Sequence, residues 1–178
     1  MKRWPTANFA RVAEALFAAS GMVGVVSGVG SEAALARELC DISRVPLLNL
    51  AGRLSLEEFA SLLADAKLVV SNDSAPAHIA AALGAPCLCI VGGGTFGWCM
   101  PYDVAPRNGR PLPRTVHHWM DCYGCGWRCV YKIAPGCAAP CLTNVSVEDA
   151  IGAALATLDT TWLAHPRRGA ADPEARRG

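Results

Sequence analysis

The chain has 178 residues, of which 52% are hydrophobic, with a mean hydropathy of +0.27 and a formal net charge of +1. This length supports one domain of ordinary size with its own core. A net charge so close to zero gives no electrostatic basis for binding nucleic acid. No uninterrupted apolar run reaches the roughly 18 residues that a membrane span needs.

The amino terminus carries Lys2 and Arg3 but lacks the apolar segment and cleavage site of a secretory signal peptide. We therefore expect a cytoplasmic protein, with association at the periphery of the inner membrane as an open alternative. In a reducing compartment the nine cysteines are expected to be mostly reduced.

Three segments carry helix signals. The first has apolar residues at helical spacing and is expected to end near Gly21, its inward positions being Phe9, Val12, Ala13 and Leu16. The second opens with a capping box formed by Ser55 and Glu58. The third is the last helix of the chain, which Ser146 is expected to cap.

A glycine-rich segment, Gly28–Ala33, follows a predicted strand at 22–27 and reads G-x-G-x-x-A. This spacing fits the fingerprint of a dinucleotide-binding loop. Such folds place a carboxylate at the end of the next strand to hold the ribose, but the predicted strand 46–50 ends at Asn49 and Leu50. The match is weak, and an NAD-type oxidoreductase domain stays open as an alternative.

The most informative stretch is 67–94. It contains a buried strand at 68–71, a polar corner at 72–74, a short apolar helix at 76–83 and a second buried strand at 86–91. Apolar runs on both sides of a helix indicate a β-α-β unit of a parallel sheet. The chain therefore contains a corner at the carboxyl end of a strand, where ligands bind in such folds.

The polar corner predicts a phosphate site, because the first turn of a helix offers unpaired N–H groups and the positive end of its dipole. Asp73 would repel a bare phosphate. It is expected either to cap the helix or to accept hydrogen bonds from hydroxyl groups of the same ligand. The second use would make the ligand a sugar phosphate.

Three consecutive glycines, Gly92, Gly93 and Gly94, follow the next strand. Such a run is conformationally expensive unless the backbone must approach another group closely, so we expect it to form a wall of the same pocket. The following segment, 101–120, is rich in proline and arginine and lacks periodicity. It is predicted to be a loop.

Cysteines cluster near the end of the chain, with Cys122, Cys125 and Cys129 at C-x2-C-x3-C spacing and Cys137 and Cys141 beyond them. Four thiolates at such spacing indicate a structural Zn²⁺ or iron site. Unliganded thiols are the alternative. A non-catalytic metal-knuckle interaction module is a further open interpretation of this segment.

The alternation of strands and helices predicts an α/β fold with a doubly wound, Rossmann-like parallel sheet. We expect one domain over 1–160, including the Cys-rich segment 120–142, and a disordered tail over 165–178, which has few apolar residues.

The run from Asn72 to His78, followed by IAAALGAP, closely resembles the donor-site motif of the heptosyltransferase-like glycosyltransferases, the family that includes ADP-heptose:lipopolysaccharide heptosyltransferase. The family usually has Gly where this chain has Ala75. The resemblance extends from about Lys2 to Leu158, and a subgroup of the family carries a very similar cysteine segment. It implies the C-terminal nucleotide-sugar domain of a two-domain, GT-B type, inverting transferase that passes a heptose-like sugar to a lipopolysaccharide-type acceptor.

The resemblance also implies roles for single residues. The implied donor-binding set is Lys2, Glu32, Asp73, Ser74, Ala75, His78, Gly93 and Gly94. Within this set, the resemblance implies that Lys2 contacts the donor phosphates and that Glu32 binds the donor nucleoside. An equal alternative for Glu32 is that its charge only stabilises the first turn of a helix. For the metal, the resemblance favours Cys141 as the fourth ligand, after Cys122, Cys125 and Cys129.

Finally, the resemblance implies that part of the enzyme lies outside this chain. The first strand of the donor domain, the acceptor-binding domain and the general base are expected in a separate N-terminal half. We therefore expect no catalytic residue here, no cofactor requirement for transfer, and donor binding without turnover. The partners implied are a nucleoside-diphosphate sugar and a saccharide or lipid-linked acceptor.

Overall fold

The computed structural model describes residues 2–106 and 110–164. The strands are β1 Gly24–Val26, β2 Leu47–Asn49, β3 Val69–Asn72, β4 Cys87–Ile90 and β5 Arg114–Val116. The helices are α1 Thr6–Ser20, α2 Ala33–Ile42, α3 Leu56–Asp65, α4 Ala75–Leu83, α5 Pro140–Thr143 and α6 Val147–Ala164. The predicted tail at 165–178 lies outside the described residues.

All strand pairs are parallel, which confirms the predicted α/β class. The strands form two sheets, β1–β2 and β3–β4–β5, whereas the sequence predicted one doubly wound sheet that lacks its first strand. Within the described residues, β1 and β3 each pair with another strand on one edge alone and not with each other. The single sheet and the strand absent from it stay a prediction.

The predicted loop at 101–120 contains β5, so that prediction is also wrong in part. Thr115 pairs with Cys89 and Val116 with Ile90 in parallel register. Three residues are too few to show an alternating pattern, and the strand exists because β4 offers it a partner distant in sequence.

The helix signals are confirmed. Gly21 and Gly84 adopt left-handed conformations, with φ of 69° and 76°, immediately after α1 and α4. The Ser55 hydroxyl accepts from the Glu58 amide at 3.2 Å, and Glu58 accepts from the Ser55 amide at 2.8 Å. Ser146 caps α6 through the amide of Asp149 at 3.1 Å.

The core lies on both faces of the β3–β4–β5 sheet. Leu88 and Ile90 of β4 point into a cluster with α1 and α6, whereas Cys87 and Cys89 point into a second cluster with α3 and α4. All four side chains are almost fully buried. This alternation across a pleated strand makes β4 the centre of the fold.

The β1–β2 sheet is less well covered. Val25 is 40% exposed and Leu48 is 51% exposed. Helix α1 packs against both α2, which lies on this sheet, and α6, which lies on the other. Among the described residues, no helix is long and apolar enough to cross a membrane.

Candidate functional site

The polar corner lies at the carboxyl end of β3, where α4 begins. Ser74 is extended, with φ of −159°, and precedes the first helical residue, Ala75. Both residues are exposed. Pro76 occupies the first turn of α4, where the N–H that proline lacks would have no partner within the helix. Among the described residues, the amides of Ser74 and Ala75 have no hydrogen-bond acceptor. The corner therefore presents unpaired N–H groups to solvent.

The carboxylate of Asp73 is held inside this corner. Its side chain is 8% exposed, and Oδ2 accepts a hydrogen bond of 3.2 Å from the hydroxyl of Thr95. Oδ1 lies 3.6 Å from Nε2 of His78. Neither oxygen caps α4 in the described structure, so the capping alternative for Asp73 is wrong.

His78 is anchored on its other side by Tyr102. Nδ1 of His78 lies 2.5 Å from the hydroxyl oxygen of Tyr102. Burial is the main cause that raises the pKa of this tyrosine, and the nearby Cys89 and Asp73 add to it. Sequence reasoning missed both Thr95 and Tyr102, because neither belongs to a motif and Tyr102 lies in a segment predicted to be a loop.

The amino-terminal segment reaches the same corner. The amide of Trp4 donates to Oδ1 of Asn72 at 2.9 Å. Two residues earlier, Nζ of Lys2 lies 5.0 Å from the centroid of the Trp127 ring, a cation–π geometry. The structure thus holds the amino-terminal segment against Asn72, at the end of β3, and places the Lys2 side chain over Trp127.

The glycine run is buried beneath two aromatic rings. A Cβ added at Gly93 would lie 2.6 Å from Cδ2 of Tyr123, and one added at Gly94 would overlap the ring of Trp127. Trp127 itself has a positive φ of 63°. The close approach that requires glycine here is made by these rings, and the donor-binding role of Gly93 and Gly94 stays a prediction.

Glu32 lies apart, at the carboxyl end of β1 in the other sheet. Its Oε2 accepts from the amide of Val29 at 3.1 Å and lies against Gly28. Gly52 packs on Gly30 in the same loop. Gly28 is thus packed against Glu32, whereas a Cβ on Gly30 would meet no atom within 4 Å. The nucleoside-binding role of Glu32 stays a prediction.

The cysteines of the 120–142 segment carry free thiols. Burial is the main cause that raises the pKa of Cys141, and the neighbouring thiols of Cys122, Cys129 and Cys125 raise it further. Cys137 is exposed. Within residues 2–106 and 110–164, no three His, Cys, Asp or Glu side chains are arranged to hold a metal ion. The predicted metal site stays a prediction.

The fold is that of glycosyltransferases of known structure. The chain superposes with a TM-score of 0.65 on the glycosyl transferase family 9 protein from Veillonella parvula, at 22% identity, covering 89% of this chain and 42% of that one. It matches E. coli ADP-heptose lps heptosyltransferase II with the same TM-score, at 23% identity, covering 89% and 43% of the two chains.

A model of glycosyltransferase family 9 (heptosyltransferase) matches residues 1–105, more than half of the chain. The chain belongs to this family. Lipooligosaccharide heptosyltransferase 2 of Haemophilus ducreyi is 37% identical over 89 residues, which are 48% of this chain and 25% of that protein. Lipopolysaccharide heptosyltransferase 3 of Escherichia coli is 36% identical over 93 residues, 51% and 27% of the two chains. The match thus spans about a quarter of these relatives.

Proposed function

We propose that this chain is the donor-binding part of an inverting glycosyltransferase that moves a heptose-like sugar from a nucleoside-diphosphate sugar to a lipopolysaccharide-type acceptor. Family membership and the names of the relatives support the class of reaction. One observation carries the site assignment. Ser74 and Ala75, which are exposed and whose amides have no acceptor among the described residues, open α4 directly after β3, beside Asp73 and His78.

The amides of Ser74 and Ala75 would bind the diphosphate of the donor. They lie at the positive end of the α4 dipole, which favours anions. Lys2 would add a full positive charge, and the bond from Trp4 to Asn72 supports its placement near the corner. Ala75, where the family usually has Gly, leaves its N–H available, because only the side chain differs.

Asp73 would orient the sugar of the donor. A carboxylate offers about four acceptor positions, and Thr95 occupies one of them. His78 lies beside the other oxygen. A carboxylate fixed in this way can accept hydrogen bonds from sugar hydroxyls with little loss of conformational freedom.

In the reaction, the bond between the anomeric carbon and the diphosphate oxygen breaks through an oxocarbenium-like state. The acceptor oxygen forms its bond from the opposite face, and this inverts the configuration. The departing diphosphate gains negative charge, which the corner amides and Lys2 would stabilise. These groups supply the stabilisation without a cofactor.

The proton of the acceptor hydroxyl must pass to a general base. We assign that base to polypeptide outside these 178 residues, because the groups gathered at the corner are committed to the donor. The isolated chain should therefore bind donor without turnover. The acceptor would be a free or a lipid-linked saccharide. The transfer would take place in the cytoplasm, at the periphery of the inner membrane.

The two sheets support a further part of this proposal. β1 and β3 each leave one edge unpaired within the described residues, and α1 bridges the helices that cover the two sheets. Unpaired parallel edges accept an additional strand. We propose that a strand from a separate N-terminal half lies between them and completes one doubly wound sheet.

We also propose that Cys122, Cys125, Cys129 and Cys141 hold a structural Zn²⁺ or iron after local rearrangement. Their soft sulfur atoms suit both metals. Elemental analysis of the purified chain should find about one equivalent of metal, lost in Cys125→Ser and kept in Cys137→Ser. A metal-free wild type that folds normally would contradict this part.

Isothermal titration with ADP-heptose, ADP and NAD tests the donor assignment. The wild-type chain should bind ADP-heptose and ADP and discriminate against NAD. Asp73→Asn should weaken ADP-heptose binding about tenfold or more, the value of a hydrogen bond to a charged group. It should leave ADP binding nearly unchanged, because ADP lacks the sugar.

Asp65→Asn is the matched control, since Asp65 is an exposed acid at the end of α3. It should bind all three ligands like the wild type. Equal affinity for NAD and ADP-heptose would favour a dinucleotide-binding domain instead. A donor-dependent transfer reaction by the isolated chain would contradict the assignment of the base to another polypeptide.

A further inference from the structure

Four ring side chains lie against one another beside the carboxyl end of β5. They form the ring cluster of Phe96, His117, Trp119 and Tyr123. Ring centroids are 4.7 Å apart for Phe96 and His117, 5.0 Å for Phe96 and Tyr123, and 4.7 Å for Trp119 and Tyr123. The donor site as proposed uses none of these rings.

The ring cluster presents Trp119 to solvent on a fixed base. Trp119 is 62% exposed. Beneath it, Tyr123 packs on Gly93 and donates a hydrogen bond of 2.6 Å to the carbonyl of His118. A large exposed aromatic surface on rigid neighbours is typical of a binding site, because a ligand can cover it at small entropic cost.

The ring cluster adjoins the donor corner. Phe96 follows Thr95, whose hydroxyl bonds to Asp73. Along the sheet order β3–β4–β5, the ring cluster therefore lies on the β5 side of Asp73, whereas Glu32 follows β1 in the other sheet. A sugar bound at Asp73 would therefore lie beside Thr95 and Phe96, next to the ring cluster.

We propose that the ring cluster binds a sugar ring of the acceptor saccharide, stacked on the face of Trp119, as this chain's contribution to an acceptor site that is otherwise formed by the N-terminal half. This inference rests on the proposed function. The C–H face of a pyranose is apolar and flat enough to pack on an indole. The hydroxyl groups around its rim need polar partners, and exposed His117, His118 and Asp121 flank Trp119 in the chain. A purely lipid-facing surface would not supply them.

Saturation-transfer NMR and calorimetry of the 178-residue chain with deacylated lipopolysaccharide core oligosaccharide test this site. The wild type should bind the oligosaccharide. Trp119→Ala should bind about tenfold more weakly, the upper range for one aromatic contact. Trp119→Phe keeps a ring and should retain most of the affinity.

Trp98→Ala is the matched control, because Trp98 is 74% exposed and makes no ring contact with the described aromatic residues. It should bind the oligosaccharide like the wild type. Equal binding by Trp119→Ala, or no binding by the wild type, overturns the proposal. Weaker co-sedimentation of Trp119→Ala with anionic phospholipid vesicles, without loss of oligosaccharide affinity, would overturn it in favour of a membrane surface.

An ADP titration of the same samples separates the two hypotheses. All three tryptophan variants should bind ADP like the wild type. If the wild type binds oligosaccharide through Trp119 but does not bind ADP, the donor assignment fails and the saccharide site stands. If ADP binds and the oligosaccharide does not, the saccharide site alone is wrong.

Discussion

The backbone amide of Trp4 donates a hydrogen bond of 2.9 Å to Oδ1 of Asn72, a residue 68 positions later in the chain. Trp4 is 2% exposed, and its indole N–H donates to the carbonyl of Val145 at 3.2 Å. These bonds fix the amino-terminal segment beside the end of β3. Lys2, two residues before Trp4, is thereby tied to the segment that contacts Asn72.

Replacing Asn72 tests this link. Asn72→Ala leaves the buried amide of Trp4 without its acceptor, so the free energy of unfolding should fall by about 1–3 kcal/mol. ADP affinity should also fall, because Lys2 loses its fixed position. Urea unfolding and calorimetry measure the two effects. Asn144→Ala, which changes an exposed asparagine, is the control. If Asn72→Ala lost stability but kept its ADP affinity, Lys2 would not contribute to the site.

The packing of Tyr123 on Gly93 predicts a large effect from a single methyl group. In Gly93→Ala, the new Cβ would lie 2.6 Å from Cδ2 of Tyr123, so the ring must move. We expect a loss of about 1–3 kcal/mol in the free energy of unfolding.

Gly152→Ala is the matched control for that substitution. Gly152 lies within α6, and a Cβ there meets no atom within 4 Å. Alanine should therefore raise the stability by up to about 1 kcal/mol through helix propensity. Urea denaturation gives the free energy of unfolding of both variants. A Gly93→Ala protein as stable as the wild type would show that Tyr123 does not pack on the glycine run.

The buried thiol of Cys87 predicts a loss of stability at high pH. Burial raises the pKa of Cys87 from 9.0 to about 12. Because the pKa is higher in the folded state, the thiol contributes stability fully below pH 9. That contribution is lost as the pH rises from about 9 to about 12, where the unfolded chain releases its proton first.

The free energy of unfolding, measured as a function of pH in the presence of a reductant, tests the predicted decline. Cys87→Ala should show a shallower decline above pH 9 than the wild type, whatever its stability at neutral pH. Cys99→Ala, which changes an exposed thiol, should keep the wild-type slope. Identical slopes for all three proteins would mean that Cys87 is accessible to solvent.

The contact between His78 and Tyr102 predicts a tautomer. Oδ1 of Asp73 lies 3.6 Å from Nε2 of His78 and attracts an N–H there, so Nε2 should carry the proton and Nδ1 should accept from the Tyr102 hydroxyl. Nitrogen-15 chemical shifts of the His78 ring show directly which of its two nitrogens carries the proton. Tyr102→Phe should yield a mixture of tautomers, whereas Tyr131→Phe, at an exposed tyrosine, should not. A neutral His78 with the proton on Nδ1 would reverse the proposed orientation.

Much of the fold follows from local signals. Ser55 with Glu58, and Gly84 after an apolar helix, fix helix ends through bonds between neighbours in sequence, and such ends can be predicted. β5 could not be predicted in this way, since Thr115 is in a strand only because Cys89 lies beside it. The division into two sheets likewise depends on which edges meet, a property that no single segment contains.

The site shows the same distinction. The corner at Asp73 and Ser74 is contiguous in sequence, so its place between β3 and α4 could be predicted. Thr95 and Tyr102 reach it from other segments and carry no motif. The glycine run was predicted from its conformational cost, but the groups that require it, Tyr123 and Trp127, come from the cysteine segment. Side-chain packing across segments decides such details.

The central claim is that the amides of Ser74 and Ala75 bind a diphosphate. Titration of the nitrogen-15-labelled chain with ADP, followed by two-dimensional NMR, tests it most directly. The account predicts that these two amides shift most, whereas the amides of Leu56 and Glu58 in the first turn of α3, a helix start that Ser55 caps, remain in place. Unchanged Ser74 and Ala75 amides at saturating ADP, or shifts confined to Gly28–Ala33, would contradict it.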